Sequence, residues 1–407
     1  MRILLASSEV HPYSKTGGLA DMTGALAREL AREGHQVGIV TPLYWGIRER
    51  FPQLAPVHLP VDVPLGVERV RGEVWSLEPA TGLTVYFVDA PGFFQRSGLY
   101  QKDGVDFPDN AERFVFFSKA VSHLSLHLPW KPELVHLNDW QTGLAALLLH
   151  HQRKLSDWES APRTCLTIHN LAYQGLFPAA EYALTNLPWD YFVPEGVEFY
   201  GQLNSLKAGI AFADAITTVS PRYAREIITE EFGCGVDGLL RHRQARLFGI
   251  LNGADYEEWN PQTDPYIDQP FSNGDLAGKQ ANKFKLQHEF GLPADPSVPL
   301  FGNIGRMVAV SKLRVAIAKQ SELHAAIDDS GQRLAQKVEP LLPGQPTDDA
   351  EQKGIRQDLK PHTPMQGRLV RRTILQGADG KARGNVLIGC RVPNGNIDAV
   401  ENPDQIG

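Results

Sequence analysis

A glycine-rich segment near the start of the chain has the residue types of an anion site. Residues 14–21 are SKTGGLAD, with Lys15 ahead of the pair Gly17 and Gly18. Glycines let the backbone approach a ligand, the N-terminus of a following helix offers free N–H groups, and a lysine adds a positive charge. The spacing fits neither the dinucleotide fingerprint nor a Walker A loop. The segment predicts a phosphate or diphosphate site, with an ordinary tight turn as the alternative.

Two later motifs pair polar side chains with predicted strand ends. Residues 136–143 are HLNDWQTG, where Asp139 and Trp140 suit the recognition of a sugar, or else are a helix cap beside a core tryptophan. Residues 167–175 are TIHNLAYQG, where His169 and Asn170 could hold hydroxyls near an anomeric carbon, or else His169 is structural. A fourth motif, ILNGAD at residues 250–255, is by itself only a turn.

These motifs are positioned by short apolar runs that alternate with segments of helical periodicity. The pattern predicts a doubly wound parallel sheet, in which ligands bind beyond the carboxyl ends of the strands. Gly34 is predicted to end the first helix. Predicted strands are 2–6, 37–41, 84–88, 134–137, 164–168, 215–219 and 298–304, and predicted helices are 19–33, 111–126 and 142–151.

Composition excludes several classes of protein. The chain has 407 residues, 42% of them hydrophobic, so two or three domains are expected. A net charge of -7 gives no excess of positive charge that would attract nucleic acid. No apolar run approaches the roughly 18 residues that a membrane span needs. The cysteines at 165, 234 and 390 form no disulfide framework or zinc set. We therefore expect a cytoplasmic protein with neither nucleic acid nor membrane as a partner.

The order of the motifs is more specific than any one of them. KTGGLAD, then NDW, then TIHNLAYQG, then TVSP at residues 218–221 and finally NGAD together resemble the bacterial glycogen synthase and starch synthase family. This is the ADP-glucose type, glycosyltransferase family 5. The resemblance extends over about residues 1–308.

The resemblance implies an α/β protein of the GT-B type, with two Rossmann-like domains. It implies transfer of glucose from ADP-glucose to the non-reducing 4-hydroxyl of an α-1,4-glucan such as glycogen, with retention, without a cofactor and without a metal. By the same resemblance Glu9, His169 and Asp139 are catalytic. The residues expected to bind ADP-glucose are Lys15, Gly17, Gly18, Asn170, Tyr100, Asn252 and Arg306.

The last quarter of the chain departs from the family pattern. Arg306 is in place, but position 311 is Ser, and Lys312 stands one residue late; no second glycine-rich loop or glutamate pair follows. No Trp, Tyr or Phe occurs after residue 308. We expect a complete catalytic domain over 1–260, a linker over 261–297, the start of a second domain over 298–308 and an atypical tail over 309–407. The second domain is thus expected to be truncated or replaced, which leaves a non-catalytic glucan- or nucleotide-binding remnant as the alternative function.

Overall fold

The structure is a computed structural model that describes residues 1–156, 161–292, 294–300, 302–304, 371–376 and 382–389. The chain divides into two compact units, Met1–Glu257 and Glu258–Gly407. The predicted domain boundaries stay predictions. Arg306, Ser311 and Lys312 lie outside the described residues, as does most of the predicted tail.

Strands and helices alternate along most of the described residues. The strands are β1 (Arg2–Ala6), β2 (Gln36–Pro42), β3 (Ala55–Leu65), β4 (Glu68–Ala80), β5 (Leu83–Asp89), β6 (Gln101–Lys102), β7 (Val105–Asp106), β8 (Leu134–Asn138), β9 (Arg163–Ile168), β10 (Leu176–Pro178), β11 (Glu198–Phe199), β12 (Gln202–Asn204), β13 (Ala215–Thr218), β14 (Leu247–Gly249), β15 (Gly302–Ile304), β16 (Arg371–Gln376) and β17 (Ala382–Gly389). The α-helices are α1 (Gly18–Arg32), α2 (Ile47–Arg50), α3 (Pro91–Phe94), α4 (Asn110–His127), α5 (Trp140–Ser156), α6 (Ser205–Phe212), α7 (Pro221–Glu226), α8 (Asp237–His242) and α9 (Ala277–Glu289). Short 3₁₀ helices span Ala179–Thr185, Trp189–Tyr191 and Gln244–Arg246.

The first unit is built on a nine-stranded sheet in the order β14-β13-β9-β8-β1-β2-β5-β4-β3. The strands from β14 to β5 are parallel, and β4 and β3 add an antiparallel hairpin at one edge. The chain builds outward from β1 to β2 and later returns to place β8 on the other side of β1. The carboxyl ends of β1 and β8 therefore flank a crevice of the kind that binds ligands in doubly wound sheets.

Helix α1 shows how the predicted elements form. It ends two residues before Gly34, whose φ of 82° is a left-handed conformation that glycine adopts without strain. The N–H of Gly34 donates to Ala31 O at 3.0 Å and that of His35 to Leu30 O at 3.1 Å, the Schellman pattern. A Cβ at Gly24 would lie 2.8 Å from His11 O, so a glycine is needed where the helix packs on the loop after β1. The predicted helix and its terminal glycine are confirmed.

The core lies on both faces of the parallel strands. In β1 the side chains of Leu4, Leu5 and Ala6 are completely buried, and most residues of α4 are buried as well. Phe114, Phe116 and Phe117 of α4 are among the largest buried side chains. Burial on both faces explains the continuous apolar runs by which these strands were predicted.

Three smaller sheets accompany the large one among the described residues, and the smallest is the two-stranded hairpin β6-β7. A three-stranded sheet in the order β10-β12-β11 stands in the first unit, between β9 and α6 along the chain. In the second unit β15, β17 and β16 form another, with β15 parallel and β16 antiparallel to β17. Among the described residues, no helix is both long enough and apolar enough to cross a membrane.

The prediction of a strand over 298–304 is wrong in its first half, because β15 covers Gly302–Ile304 and residues 298–300 are not in a strand. Asp295 accepts hydrogen bonds from the N–H and hydroxyl of Ser297, and Val298 N–H donates to the carbonyl of Asp295 at 3.3 Å. This aspartate-led turn, followed by Pro299, removes the backbone donors that a strand would need.

Candidate active site

The predicted site residues of the first unit follow the carboxyl ends of its parallel strands. Glu9 and the glycine-rich segment follow β1, Asp139 follows β8, and His169 and Asn170 follow β9. Adjacent parallel strands lie about 4.8 Å apart, so these groups converge on one edge of the sheet. The edge includes the crevice between β1 and β8.

The glycine-rich segment is held by the carboxylate of Glu9, which is 4% exposed. Oε1 accepts from the Thr16 hydroxyl at 2.6 Å, and Oε2 accepts from Gly17 N–H at 3.2 Å and from Thr16 N–H. The hydroxyl of Tyr100 donates to Oε1 at 2.8 Å. Four donors thus meet one carboxylate, and they fix the backbone immediately before α1.

Tyr100 connects this cluster to the core. Its ring lies 5.8 Å from that of Phe114 and 6.4 Å from that of Trp140. Burial, with the Glu9 carboxylate adding to it, raises the pKa of Tyr100 well above its usual value. The phenol therefore stays protonated and donates to Glu9, while the Ser8 hydroxyl, 2.7 Å away, donates to the phenol oxygen.

The N-terminus of α1 presents open backbone beside a cation. Gly17 precedes the helix in an extended conformation, and a Cβ at Gly18 would meet no atom within 4 Å. Protein packing does not require glycine at position 18, so the space beside it is free for an approaching group. Lys15 forms an ion pair with Asp21 at 2.6 Å, and both side chains are about one-third exposed. N–H groups, the helix dipole and a lysine together favour an anion here.

The next part of the site is a histidine whose tautomer is fixed by Asn138. The amide nitrogen of Asn138, which is completely buried, donates to Ala6 O at 3.1 Å, so its Oδ1 faces His169. His169 Nε2 lies 3.0 Å from that oxygen and must donate to it, which leaves Nδ1 as an acceptor. Burial, and to a smaller extent nearby His136, lowers the pKa of His169 to about 4. The imidazole is therefore neutral at pH 7.

Asp139 lies in surroundings that disfavour its charge. Desolvation raises its pKa to about 7, opposed by hydrogen bonds from the backbone N–H groups of His169 and Asn170, with a smaller upward contribution from Glu9. The bond from His169 N–H is 2.8 Å long. Asp139 itself has a φ of 55°, a left-handed conformation that is uncommon outside glycine and is found more often at functional sites.

Trp140 takes the core role rather than the sugar-binding one. Its ring packs edge-on against Phe114 at 4.9 Å and against Phe177 at 5.8 Å. Gly175 lies on its other side, where a Cβ would be 2.4 Å from the ring. Three neighbours from different elements thus cover the indole.

The remaining predicted residues are less closely associated. Asn170 is exposed, and its side-chain oxygen accepts from Ala172 N–H at 3.0 Å in a local turn. Asn252 is exposed in the loop after β14, which three strands separate from β1. Arg306 lies outside the described residues. The structure therefore brings together Glu9, the glycine-rich segment and Tyr100, and joins Asp139 to His169.

Sequence reasoning gave no role to Thr16 or Asn138, which position the predicted groups. Both stand inside the motifs that were recognised, so their places were visible. Their roles were not, because they depend on which side chain faces which across β1, β8 and β9. A third unassigned group is His136, whose Nε2 lies 2.6 Å from the Thr167 hydroxyl and whose pKa burial lowers to about 4.

Comparisons with known proteins agree with the motifs. The family model described as "Starch synthase catalytic domain" matches residues 2–242. A glycogen synthase of an Anaeromyxobacter species is 48% identical over 327 residues, which are 80% of this chain and 67% of that protein. The glycogen synthase of Syntrophotalea carbinolica is 46% identical over 311 residues, 76% of this chain and 64% of that protein. The chain thus spans about two thirds of the length of these relatives.

A solved structure agrees as well. The catalytic domain of starch synthase IV from Arabidopsis thaliana, bound to ADP and acarbose, superposes with a TM-score of 0.63 at 30% identity. The match covers 82% of this chain and 66% of that one. It confirms the predicted α/β, GT-B-type fold class, while the predicted truncation of the second domain concerns residues mostly outside those described. The chain therefore belongs to the glycogen and starch synthase family.

Proposed function

We propose that this chain transfers glucose from ADP-glucose to the non-reducing 4-hydroxyl of an α-1,4-glucan, with retention at the anomeric carbon. The observation that carries the proposal is that two groups of ordered polar residues follow the neighbouring strands β1, β8 and β9 at the β1–β8 crevice. One is the glycine-rich segment that Glu9 holds at the N-terminus of α1. The other is the Asp139 and His169 pair. An anion site beside groups that bind hydroxyls suits a nucleotide sugar, and a relative's structure was solved with ADP.

On the donor side, the diphosphate is recognised by Lys15 and by the backbone at Gly17 and Gly18. Lys15 exchanges Asp21 for the phosphates, and the first free N–H groups of α1 donate to the same oxygens. The Gly17 N–H is already engaged by Glu9, so Gly17 acts by shape, and Glu9 acts by positioning the segment. Positive charge at this end stabilises ADP as it departs.

On the sugar side, His169 and Asp139 accept from hydroxyls without adding a full negative charge. Neutral His169 offers Nδ1 to a sugar hydroxyl. Asp139, with a pKa near 7, exchanges between a carboxylate that accepts and a carboxylic acid that donates. Such polar groups favour an oxocarbenium-like sugar in the transition state. Asn170, Tyr100, Asn252 and Arg306 are assigned to ADP-glucose by family likeness, and Tyr100 also supports Glu9.

The partners of this reaction are ADP-glucose and a glucan acceptor, and the residues assigned to it include no metal ligand set. The thiols of Cys165 and Cys234 are free, which supports a cytoplasmic setting. We assign nucleic acid and membranes no part in it.

The test is incorporation of radiolabelled glucose from ADP-glucose into glycogen by the 407-residue chain, with saturation binding of ADP measured on the same preparation. Transfer supports the proposal. Binding of ADP or glycogen without transfer identifies the chain as a non-catalytic binding remnant, the function favoured by the displaced Lys312. Transfer from UDP-glucose at an equal rate would contradict the choice of donor.

A further inference from the structure

A hairpin in the small sheet of the first unit has an unusual residue at its turn. Strands β11 and β12 pair Phe199 with Gln202, so Tyr200 and Gly201 form a two-residue loop. Their φ values are 49° and 79°. Positive φ at both central positions is the pattern of a type I′ turn, where Asn, Asp or Gly is preferred at the first position.

The same molecule shows the expected choice elsewhere. Strands β6 and β7 pair Lys102 with Val105, and the loop between them is Asp103 and Gly104, with φ values of 53° and 82°. The two hairpins differ in that one uses aspartate and the other tyrosine at the strained position. A bulky side chain in the left-handed region is destabilising, so local stability does not explain Tyr200.

Burial does not explain Tyr200 either, because 83% of its surface is exposed. Its ring meets that of Phe199 edge-on at 4.7 Å, and a Cβ at Gly235 would lie 3.7 Å from it. These contacts involve one edge of the Tyr200 ring, and most of the side chain stays exposed to solvent. A strained residue that exposes an aromatic ring is the kind of feature that function retains.

The hairpin is firmly anchored beneath that ring. Gly201 N–H donates to Glu198 Oε1 at 2.6 Å across the turn. Lys207, which is 6% exposed, donates from Nζ to the carbonyls of Pro194 and Glu198. Desolvation lowers the pKa of this lysine, and the nearby carboxylates of Glu198 and Glu195 oppose part of that change. A buried cation is thus used to hold the base of the turn, which makes Tyr200 a rigid feature of the surface.

The ring stands beside the loop that carries His169. That loop continues into Tyr173, which is 54% exposed, and its neighbour Gln174 donates to Cys234 O at 3.0 Å. Gly235, the next residue, lies against Phe199 and Tyr200. The 232–235 loop thus links the His169 loop to the hairpin and carries Phe232, which is 46% exposed.

We propose that Tyr200, with Tyr173 and Phe232 beside it, forms an aromatic platform on which the sugar rings of the α-glucan acceptor stack. This deepens the proposed function and rests on it. The apolar face of a glucose ring fits a phenol or phenyl face, and three exposed rings suit an extended chain better than a single base. The hydrogen bond from Gln174 to Cys234 and the contact of Gly235 with Tyr200 connect the platform to the loop of His169, the sugar side of the proposed site.

The experiment measures binding of maltoheptaose and of ADP by titration calorimetry on the 407-residue chain, together with the Tm. We compare Tyr200→Asn with Tyr200→Phe, which keeps the ring. Asparagine suits the left-handed position, so Tyr200→Asn is expected to keep or raise the Tm. It is expected to weaken maltoheptaose binding about fivefold, the scale of one lost aromatic contact, while ADP binding is unchanged. Tyr200→Phe should bind maltoheptaose as the unaltered chain does.

Three results would overturn the platform. They are unchanged maltoheptaose affinity in Tyr200→Asn, a loss of ADP affinity in that variant, which would assign the ring to the base of the nucleotide, and no maltoheptaose binding by the unaltered chain. The proposed function fails separately. A chain that binds maltoheptaose through Tyr200 but transfers no glucose from ADP-glucose keeps the platform and loses the synthase activity.

Discussion

The two sides of the β1–β8 crevice differ in how their polar groups are held. On the β1 side, the Glu9 carboxylate collects donors from Thr16, Gly17 and Tyr100. On the β8 and β9 side, desolvation shifts the pKa values of Asp139 and His169 toward the neutral forms. Adjacent strands of one sheet thus carry a donor-saturated carboxylate and, beside it, a neutral imidazole with a carboxyl group that is only partly ionised at pH 7.

The difference teaches that the two sides suit different halves of a nucleotide sugar. A diphosphate requires positive potential and a backbone fixed in advance, which the Glu9 cluster supplies by ordering the segment before α1. Hydroxyl groups require acceptors and donors that do not repel the electron-rich oxygens around a reacting carbon. Each side can be altered separately, because they occupy different loops.

The largest effect is expected from Glu9→Ala. The change leaves the Tyr100 hydroxyl and the donors of Thr16 and Gly17 without their acceptor in a mostly buried place. We expect the free energy of unfolding to fall by about 3 kcal/mol, as for a lost cluster of charge-assisted hydrogen bonds, and ADP binding to weaken as the segment loses its order. Urea unfolding measures the first and calorimetry the second. Glu78→Ala, on an exposed glutamate of β4, is the control and should change stability by less than about 0.5 kcal/mol. A stable Glu9→Ala chain with full ADP affinity would remove the distinction between the two sides.

Next in size is Lys15→Ala. Its ion pair with Asp21 is partly exposed and contributes little to stability, so the free energy of unfolding should change by less than about 1 kcal/mol. ADP affinity should fall about tenfold, because a point charge on the diphosphate is lost. Lys102→Ala, in the exposed hairpin of β6, provides a matched loss of charge and should bind ADP normally. Equal affinities for the two variants would contradict the anion site.

A smaller effect follows from the raised pKa of Asp139. Because the folded protein keeps this proton up to about pH 7 and the unfolded chain loses it near pH 4, the folded state binds more protons in that interval and its stability falls as pH rises. Asp139→Asn does not titrate. The stability of the variant relative to the unaltered chain should increase by about 1 kcal/mol from pH 4 to pH 8, allowing for partial exposure of the side chain. Thermal unfolding at both pH values measures the difference, and a constant difference would show that Asp139 is ionised throughout.

The last prediction is that the protonation state of His169 does not change over the working pH range. With a pKa of about 4, His169 should not gain a proton between pH 8 and pH 5, and its proton should stay on Nε2, facing Asn138. Long-range ¹H–¹⁵N spectra of the labelled chain report both. A transition of the His169 signals near pH 6.5 would mean that this side of the crevice carries charge under working conditions.

The sequence predicted the parallel strands well because they are buried on both faces and appear as unbroken apolar runs. It did not predict β3 and β4, which form an antiparallel hairpin at the edge of the sheet. Strand β3 contains Pro56, Pro60 and Pro64, and proline normally argues against a strand. An edge strand tolerates it, and the edge position is a property of the complete sheet that no local pattern reveals.

For the candidate site, too, local sequence predicted the positions of residues but not the roles that depend on contacts between elements. Motif order identified the residues after β1, β8 and β9, since each lies within a few positions of a strand end. It did not distinguish the core role of Trp140, which depends on Phe114, Phe177 and Gly175 from other elements. Nor could spacing reveal that Asn138 orients His169.

The prolines of β3 also bear on how two copies of the protein meet. A strand at the border of a sheet can recruit a strand from a second molecule, because its outward N–H and C=O groups are unpaired. Pro56, Pro60 and Pro64 supply no N–H, so a ladder recruited there would be interrupted along its length. The opposite border, β14, is only three residues long. Both borders of the nine-stranded sheet therefore resist intermolecular strand addition.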